Sequence, residues 1–242
     1  MILVLPYITV RRIFRLLLGR RENYRVFGEA GMNSTSDYLE KLKFPEIVRT
    51  WIDVRTRFTF EKEVTQAVLR IRGKLFLDIG ANMGYYSALL SKNFERILAF
   101  EPDPYSMKML RATVAAGRLH NVTTLSQAVS DRNGTAILHI DPKGSAASIT
   151  DGRGGRQLPV PTIRLDSIVK ENVDLVKVDV EQAEWKVVKG SEASIRAGRI
   201  LRWVIEVDDQ KTREEIENYL RQRNYFTRWL DARHLFASLA RN

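Results

Sequence analysis

From residue 74 onward, short and largely apolar runs alternate with stretches whose apolar positions recur at helical spacing. Residues 75–79, 97–100, 122–128, 173–178 and 201–207 have strand length. Between them the pattern predicts helices over 85–92, 105–119, 184–194 and 212–223. Strands separated by amphipathic helices form a parallel sheet covered on both faces. Residues 226–230 and 235–237 read as a closing antiparallel pair. The Asn133-Gly134 turn signal predicts an extra hairpin over 131–140, and the polar, Gly-rich stretch 141–158 reads as a mobile loop. Ahead of the first strand the pattern predicts a helix over 61–72, an extended segment at Ile52, Val54, Phe58 and Phe60, and a helix over 37–51 that Pro45 breaks.

The first 21 residues, MILVLPYITVRRIFRLLLGRR, are the most apolar stretch. Arg11, Arg12 and Arg15 interrupt it, so it is too short and too charged for an ordinary spanning helix. Its positive charge follows the apolar run, whereas a secretory signal has the reverse order. The three arginines share one arc of a helical wheel, with Val10, Ile13, Phe14 and Leu17 mostly opposite. That is the pattern of an interfacial helix on an anionic membrane, or of a helix packed on the rest of the chain. The expected division is an N-terminal helical extension over 1–60 and an α/β domain over 61–242.

Composition narrows the chemistry. With 242 residues, 44% apolar and 28% charged, the chain can bury a core and is not of disordered type. It has no cysteine, which excludes disulfides, zinc–cysteine sites and a cysteine nucleophile. A cytoplasmic location, peripheral to a membrane if the first helix is interfacial, is compatible with that. The net charge is +10, carried by 27 Arg and 12 Lys. Arg grips phosphate and carboxylate with two prongs, so an anionic partner fits, although a merely solvated basic surface would give the same count.

Ligands of parallel sheets bind at the carboxyl ends of the strands. The first strand runs into Asp78-Ile79-Gly80-Ala81-Asn82-Met83-Gly84. Gly80 and Gly84 allow a tight turn and close approach to a ligand. Asp78 can accept from an ammonium or hold the loop, and Asn82 can bond a ligand carboxylate or cap the next helix. The spacing is not the G-x-G-x-x-G of dinucleotide binders. The second strand ends in Glu101, placed to accept from two ribose hydroxyls. After the third come Ala128, which leaves room for a flat ring, and Asp131. The fourth ends in Asp179-Val180-Glu181-Gln182-Ala183-Glu184. Asp179, Glu181 and Glu184 are candidates to take a proton from an acceptor or to orient it, while the two glutamates also suit a helix start. Glu206 ends the fifth strand on the same rim. His234 lies near the closing pair, where a lone histidine is more often structural. The carboxylates lack a characteristic metal spacing, so no metal is expected.

With these residues collected, the chain resembles the FkbM family of methyltransferases. The matching segments are FLDIGANMGYYS (76–87), AFEPDP (99–104), AVSDRNG (128–134), TIRLDS (162–167), DLVKVDVEQAE (174–184), VIEV (204–207) and HLF (234–236). The resemblance implies a Rossmann-like class I methyltransferase sheet, mostly parallel with a closing antiparallel strand, and S-adenosylmethionine as cofactor. It implies O-methylation of a hydroxyl on a sugar, glycoconjugate or secondary metabolite. Asp78, Gly80, Asn82 and Gly84 would hold the methionyl part, Glu101 the ribose, and Ala128 with Asp131 would lie near adenine. Asp179 and Glu181 would lie near the acceptor. Gln182 departs from the family, which has glycine there.

Three other functions compete. An RNA-directed methyltransferase would use the basic surface; base amino-methylation is disfavoured because DVEQ stands where a [DN]PP[YF] tetrad belongs. A catalytically silent protein could keep the fold and dock through its N-terminus, although Asp78 and Glu101 are intact. An NAD-dependent enzyme is disfavoured by the loop spacing.

Overall fold

The computed structural model describes residues 61–141, 147–150 and 155–240. The expected N-terminal helix, the helix over 37–51 and the extended segment before residue 61 lie outside the described residues.

The main sheet has seven strands. Its members are β1 (Gly73–Ile79), β2 (Phe94–Phe100), β3 (Val122–Leu125), β8 (Leu175–Val178), β9 (Arg202–Glu206), β10 (Tyr225–Trp229) and β11 (His234–Leu239). Their order is β3-β2-β1-β8-β9-β11-β10, and only β11 runs against its neighbours. This is a mostly parallel Rossmann-like sheet with a closing antiparallel strand. The central strands are apolar because helices cover both faces. Side chains alternate between those faces. Phe76 packs with Ile97, Met109 and Leu110 on one side, whereas Leu77 and Ile79 pack with Val187, Trp203 and Ile205 on the other.

Seven helices lie among the described residues: α1 (Lys62–Val68), α2 (Tyr85–Leu89), α3 (Pro104–Gly117), α4 (Leu165–Ile168), α5 (Glu184–Lys189), α6 (Glu192–Arg196) and α7 (Gln210–Arg221). Asp103 caps α3, its carboxylate accepting from the Ser106 amide at 3.0 Å with proline following at the first helical position. The single helix expected over 184–194 divides at Gly190 into α5 and α6. None of the described helices is long and apolar enough to cross a membrane.

The region read as a hairpin and mobile loop differs from expectation. A second sheet, ordered β4-β7-β5-β6, is built from β4 (Ala128–Val129), β5 (Gly134–Ile140), β6 (Ala147–Ser148) and β7 (Arg156–Ile163). The strand expected over 122–128 is divided, with β3 in the main sheet and β4 in the second. The partner of β5 is β7, in the antiparallel register Ile137↔Pro159 and Thr135↔Pro161. Two prolines hid β7 from the sequence pattern. They are tolerated because β4 reaches only Thr162 and Ile163, so that beside Pro159 and Pro161 no strand among the described residues pairs on that side. Val160 is buried between the exposed prolines and Thr162 is buried after them, which is ordinary strand alternation.

Candidate active site

Parallel pairing brings the ends of β1, β2 and β8 level, with Ile79 beside both Phe100 and Val178. The chain after Ile79 must turn at once. Gly80 does so at φ +78°, where a Cβ would lie 1.8 Å from the Asp179 carbonyl oxygen, so no other residue fits. The amides of Gly80 and Ala81 donate to the Phe100 carbonyl. Asn82 follows at φ +52°, and its amide donates to Glu101 Oε2 at 2.8 Å. The other carboxylate oxygen of Glu101 accepts from the Asp103 amide at 2.8 Å. Glu101 thereby fastens two loops together, and each oxygen keeps a further lone pair for an incoming hydroxyl. It is 6% exposed, and burial pushes its carboxyl up to about 8.

Gly80, Asn82, Glu101 and Asp179 line one pocket, together with an apolar slot of Ala128, Leu138, Ile140, Ala147 and Ile149. The slot's far wall comes from β5 and β6. Sequence reasoning missed Leu138 and Ile140 as pocket residues; their alternation in β5 was the available signal. Val180, Glu181 and Ala183 close the end beyond Asp179.

Other expected residues stand elsewhere. Asp78 is buried behind the loop, where its carboxylate accepts from Ser87 Oγ at 2.6 Å. Of its two expected options it takes loop holding, and burial raises its carboxyl above the ordinary range. Gly84 precedes α2 at φ +87°, and a Cβ there would strike Leu110, 2.6 Å away, so it sets helix packing. Asp131 is exposed beside Ser130 Oγ and is not part of the pocket wall, because β4 turns into the second sheet just before it. Glu184 accepts from the Gln182 amide at 2.9 Å. Its carboxyl is pushed up to about 7 by burial. It braces the loop and lies off the pocket wall.

A charge cluster adjoins Asp179. Lys177, on the buried strand β8, is 2% exposed, and its Nζ lies 3.1 Å from Asp179 Oδ2. The ammonium also sits 4.7 Å from the centre of the Tyr86 ring. Burial opposes its charge, but Asp179, Glu61, Asp78 and Glu206 outweigh that and raise it above the ordinary lysine range. Asp179 is raised by burial and by Glu206 and Glu61, against the pull of Lys177. Glu206 pairs with Arg233 at 2.8 Å and faces His234. Although burial raises it, His234, Lys177 and Arg233 hold its carboxyl below the usual range. Lys177 was missed in the sequence, although one lysine inside an apolar strand is itself a signal that a carboxylate must be near.

The profile of the methyltransferase FkbM domain matches residues 78–227, well over half of the chain. The chain belongs to the FkbM methyltransferase family. An FkbM methyltransferase from Methylobacillus flagellatus superposes with a TM-score of 0.53 at 17% identity, over 68% of this chain and 43% of that one. The present chain thus spans less than half the length of that structure. A precorrin-6Y C5,15-methyltransferase from Geobacter metallireducens gives 0.47 at 15% identity, covering 73% and 85% of the two chains. An rRNA methylase from Streptococcus thermophilus gives 0.47 at 11%, covering 74% and 95%. No curated protein sequence matches the chain.

Membership in the FkbM family implies S-adenosylmethionine as cofactor, and the pocket has the chemistry to hold it. Glu101 offers acceptor lone pairs where a ribose would need them. The apolar slot between Ala128 and Ile140 would take adenine, and Gly80 and Asn82 on the pocket wall would meet the aminoacyl end.

Gln182 takes φ +77° directly after Glu181 at φ +53°, which explains why glycine suits this place in other FkbM chains. The loop is tethered from above: Ser148 Oγ donates to the Glu181 carbonyl, and Thr150 Oγ1 to that of Gln182. A left-handed conformation costs a side-chain-bearing residue about 1–2 kcal/mol, part of which glycine returns in unfolded-chain entropy. Gln182→Gly should therefore stabilise the protein by about 0.5–1 kcal/mol, measured by urea denaturation; a loss of stability would show that the glutamine side chain holds the loop.

Stability should also fall with rising pH. Glu101 and Glu184 are lifted to about 8 and about 7 from an ordinary 4.5. The folded protein thus keeps protons that the unfolded chain has shed in that window, and stability is greatest on its acid side. Asp78, Asp179 and His234 are raised too and act in the same direction. Glu206 and Asp231, which are lowered, oppose only at more acid pH. A decline of several kcal/mol between pH 5 and 8 is expected for the donor-free protein; a flat profile would mean these carboxyls ionise freely in the fold.

Proposed function

We propose that the chain is an S-adenosylmethionine-dependent O-methyltransferase acting on a hydroxyl of a sugar, glycoconjugate or secondary metabolite. The observation that carries this reading is the Asp179 carboxylate at the end of the pocket, beside Gly80 and held by Lys177 at 3.1 Å. When bound, S-adenosylmethionine supplies a methyl group on a sulfonium, an electrophile that needs no further activation. An alcohol is the poor partner, and it attacks well only if a base removes its proton. Asp179 takes that proton while the acceptor oxygen forms its bond to carbon. Its raised carboxyl makes it a stronger base than a solvated aspartate. Glu181, on the pocket wall, orients the acceptor.

The donor half of the reading is tested by titration calorimetry. Glu101→Ala removes the latch between two loops together with the ribose acceptor. It should weaken S-adenosylmethionine binding at least tenfold, about 1.4 kcal/mol. Undiminished affinity would remove Glu101 from the donor site. The acceptor half is tested by transfer of labelled methyl to a panel of polyhydroxylated compounds, where transfer to nitrogen or to RNA alone would overturn the hydroxyl assignment.

A further inference from the structure

Three side chains meet beside the donor pocket, at the ends of β9 and β11 and the start of α1. His234 is 1% exposed and pairs in register with Glu206. Its Nδ1 lies 2.8 Å from Asp231 Oδ2. With that carboxylate accepting the Nδ1 proton, the tautomer is set and Nε2 is turned inward. Nε2 is buried and has no hydrogen-bond partner among the described residues. It faces Glu206 Oε2 at 3.4 Å and Glu61 Oε2 at 3.8 Å.

Ligand atoms from Glu61, Glu206 and His234 all lie within 4.8 Å of one another. Two atoms each about 2.1 Å from one ion stand about 3.0–3.4 Å apart, between right-angled and tetrahedral geometry. The two separations from Nε2, 3.4 and 3.8 Å, lie at or just beyond that range. Each side chain is also aimed by a partner of its own. Tyr86 Oη donates to Glu61, Arg233 holds Glu206 Oε1 at 2.8 Å, and Asp231 holds His234. Outer contacts of this kind orient the ligands of metal sites, the carboxylate–histidine pair above all. The charge balance points the same way. Among the described residues, Lys177 lies against Asp179, and Arg233 against the far oxygen of Glu206 and against Asp208. No described lysine or arginine therefore pairs with the Glu61 and Glu206 oxygens that face Nε2.

We propose that Glu61, Glu206 and His234 bind one divalent first-row cation, of the Mn²⁺ or Zn²⁺ class. One imidazole with two carboxylates suits these ions better than Ca²⁺ or Mg²⁺, which favour all-oxygen shells. Three protein ligands leave positions open. The site lies on the rim that carries Asp179, so an acceptor hydroxyl bound there would be acidified next to its base. That role rests on the O-methyl transfer proposed above, whereas the binding does not.

The experiment uses the full chain after chelator treatment. MnCl₂ and ZnCl₂ are titrated in by calorimetry, and ¹⁵N spectra of the histidines are recorded, with S-adenosylmethionine binding measured on the same samples. One ion per chain, a shift of the His234 Nε2 resonance on adding Zn²⁺, and at least tenfold weaker binding in Glu61→Gln and Glu206→Gln are expected. His234→Gln should abolish binding. Should it fail to fold, the two glutamine variants decide the matter. No saturable binding of either ion, equal binding in the variants, or a His234 that stays doubly protonated under saturating Zn²⁺ would overturn the site and leave an imidazolium ion-paired to its carboxylates. A chain that binds the ion but not the donor would overturn the donor pocket and leave the cation site standing.

Discussion

Asp179→Asn should bind S-adenosylmethionine as tightly as the parent protein and turn over at least about a hundredfold more slowly, the usual scale for loss of a positioned base. The substitution keeps the shape of the side chain and its reach into the pocket. An amide oxygen can still accept from Lys177, so the fold of the β8 end should persist. What disappears is a group able to take a proton. Single-turnover rates with saturating donor separate this outcome from a defect in binding. A rate within threefold of the parent would remove Asp179 from the chemistry and shift attention to Glu181 on the neighbouring wall. The rate of the parent should also fall as the medium is acidified, because the protonated carboxyl is inactive.

Lys177→Met should destabilise the protein by about 3 kcal/mol at pH 8, the lower end of the range for removing one partner from a buried ion pair. Methionine fills nearly the same volume, so the loss is not one of packing. Asp179, Glu206, Glu61 and Asp78 all lean on this ammonium, and its removal leaves them repelling one another. The defect should shrink toward pH 5, where the raised carboxyls accept protons and no longer need a cation. Urea denaturation at the two pH values measures both effects. A pH-independent loss would mean that the lysine acts through its aliphatic stem against Tyr86, not through its charge.

Much of this was legible in the chain because parallel strands announce themselves as apolar runs and because the turn after such a strand needs particular residues. Gly80 and Glu101 could be placed on the pocket rim from position alone. Asp131 could not, since nothing in 122–131 signals that the chain leaves one sheet at Leu125 and enters another at Ala128. The second sheet behind the slot was hidden for a similar reason: β7, the partner of β5, carries prolines that a local pattern treats as breaks. Lys177, Glu61 and His234 were obscure because their meaning is collective. Lys177 alone signals a carboxylate nearby but not which one, and the shared surroundings of the three arise only when β8, β9, β11 and α1 come together.

The prolines of β7 have a further consequence. A strand with a bare margin invites another molecule to zip onto it, and among the described residues the small second sheet has such a margin beyond the reach of β4. Pro159 and Pro161 offer no amide hydrogens there, so an incoming backbone finds no ladder to extend. Among the described residues, that margin of the second sheet is thereby guarded against edge-to-edge aggregation by the prolines themselves.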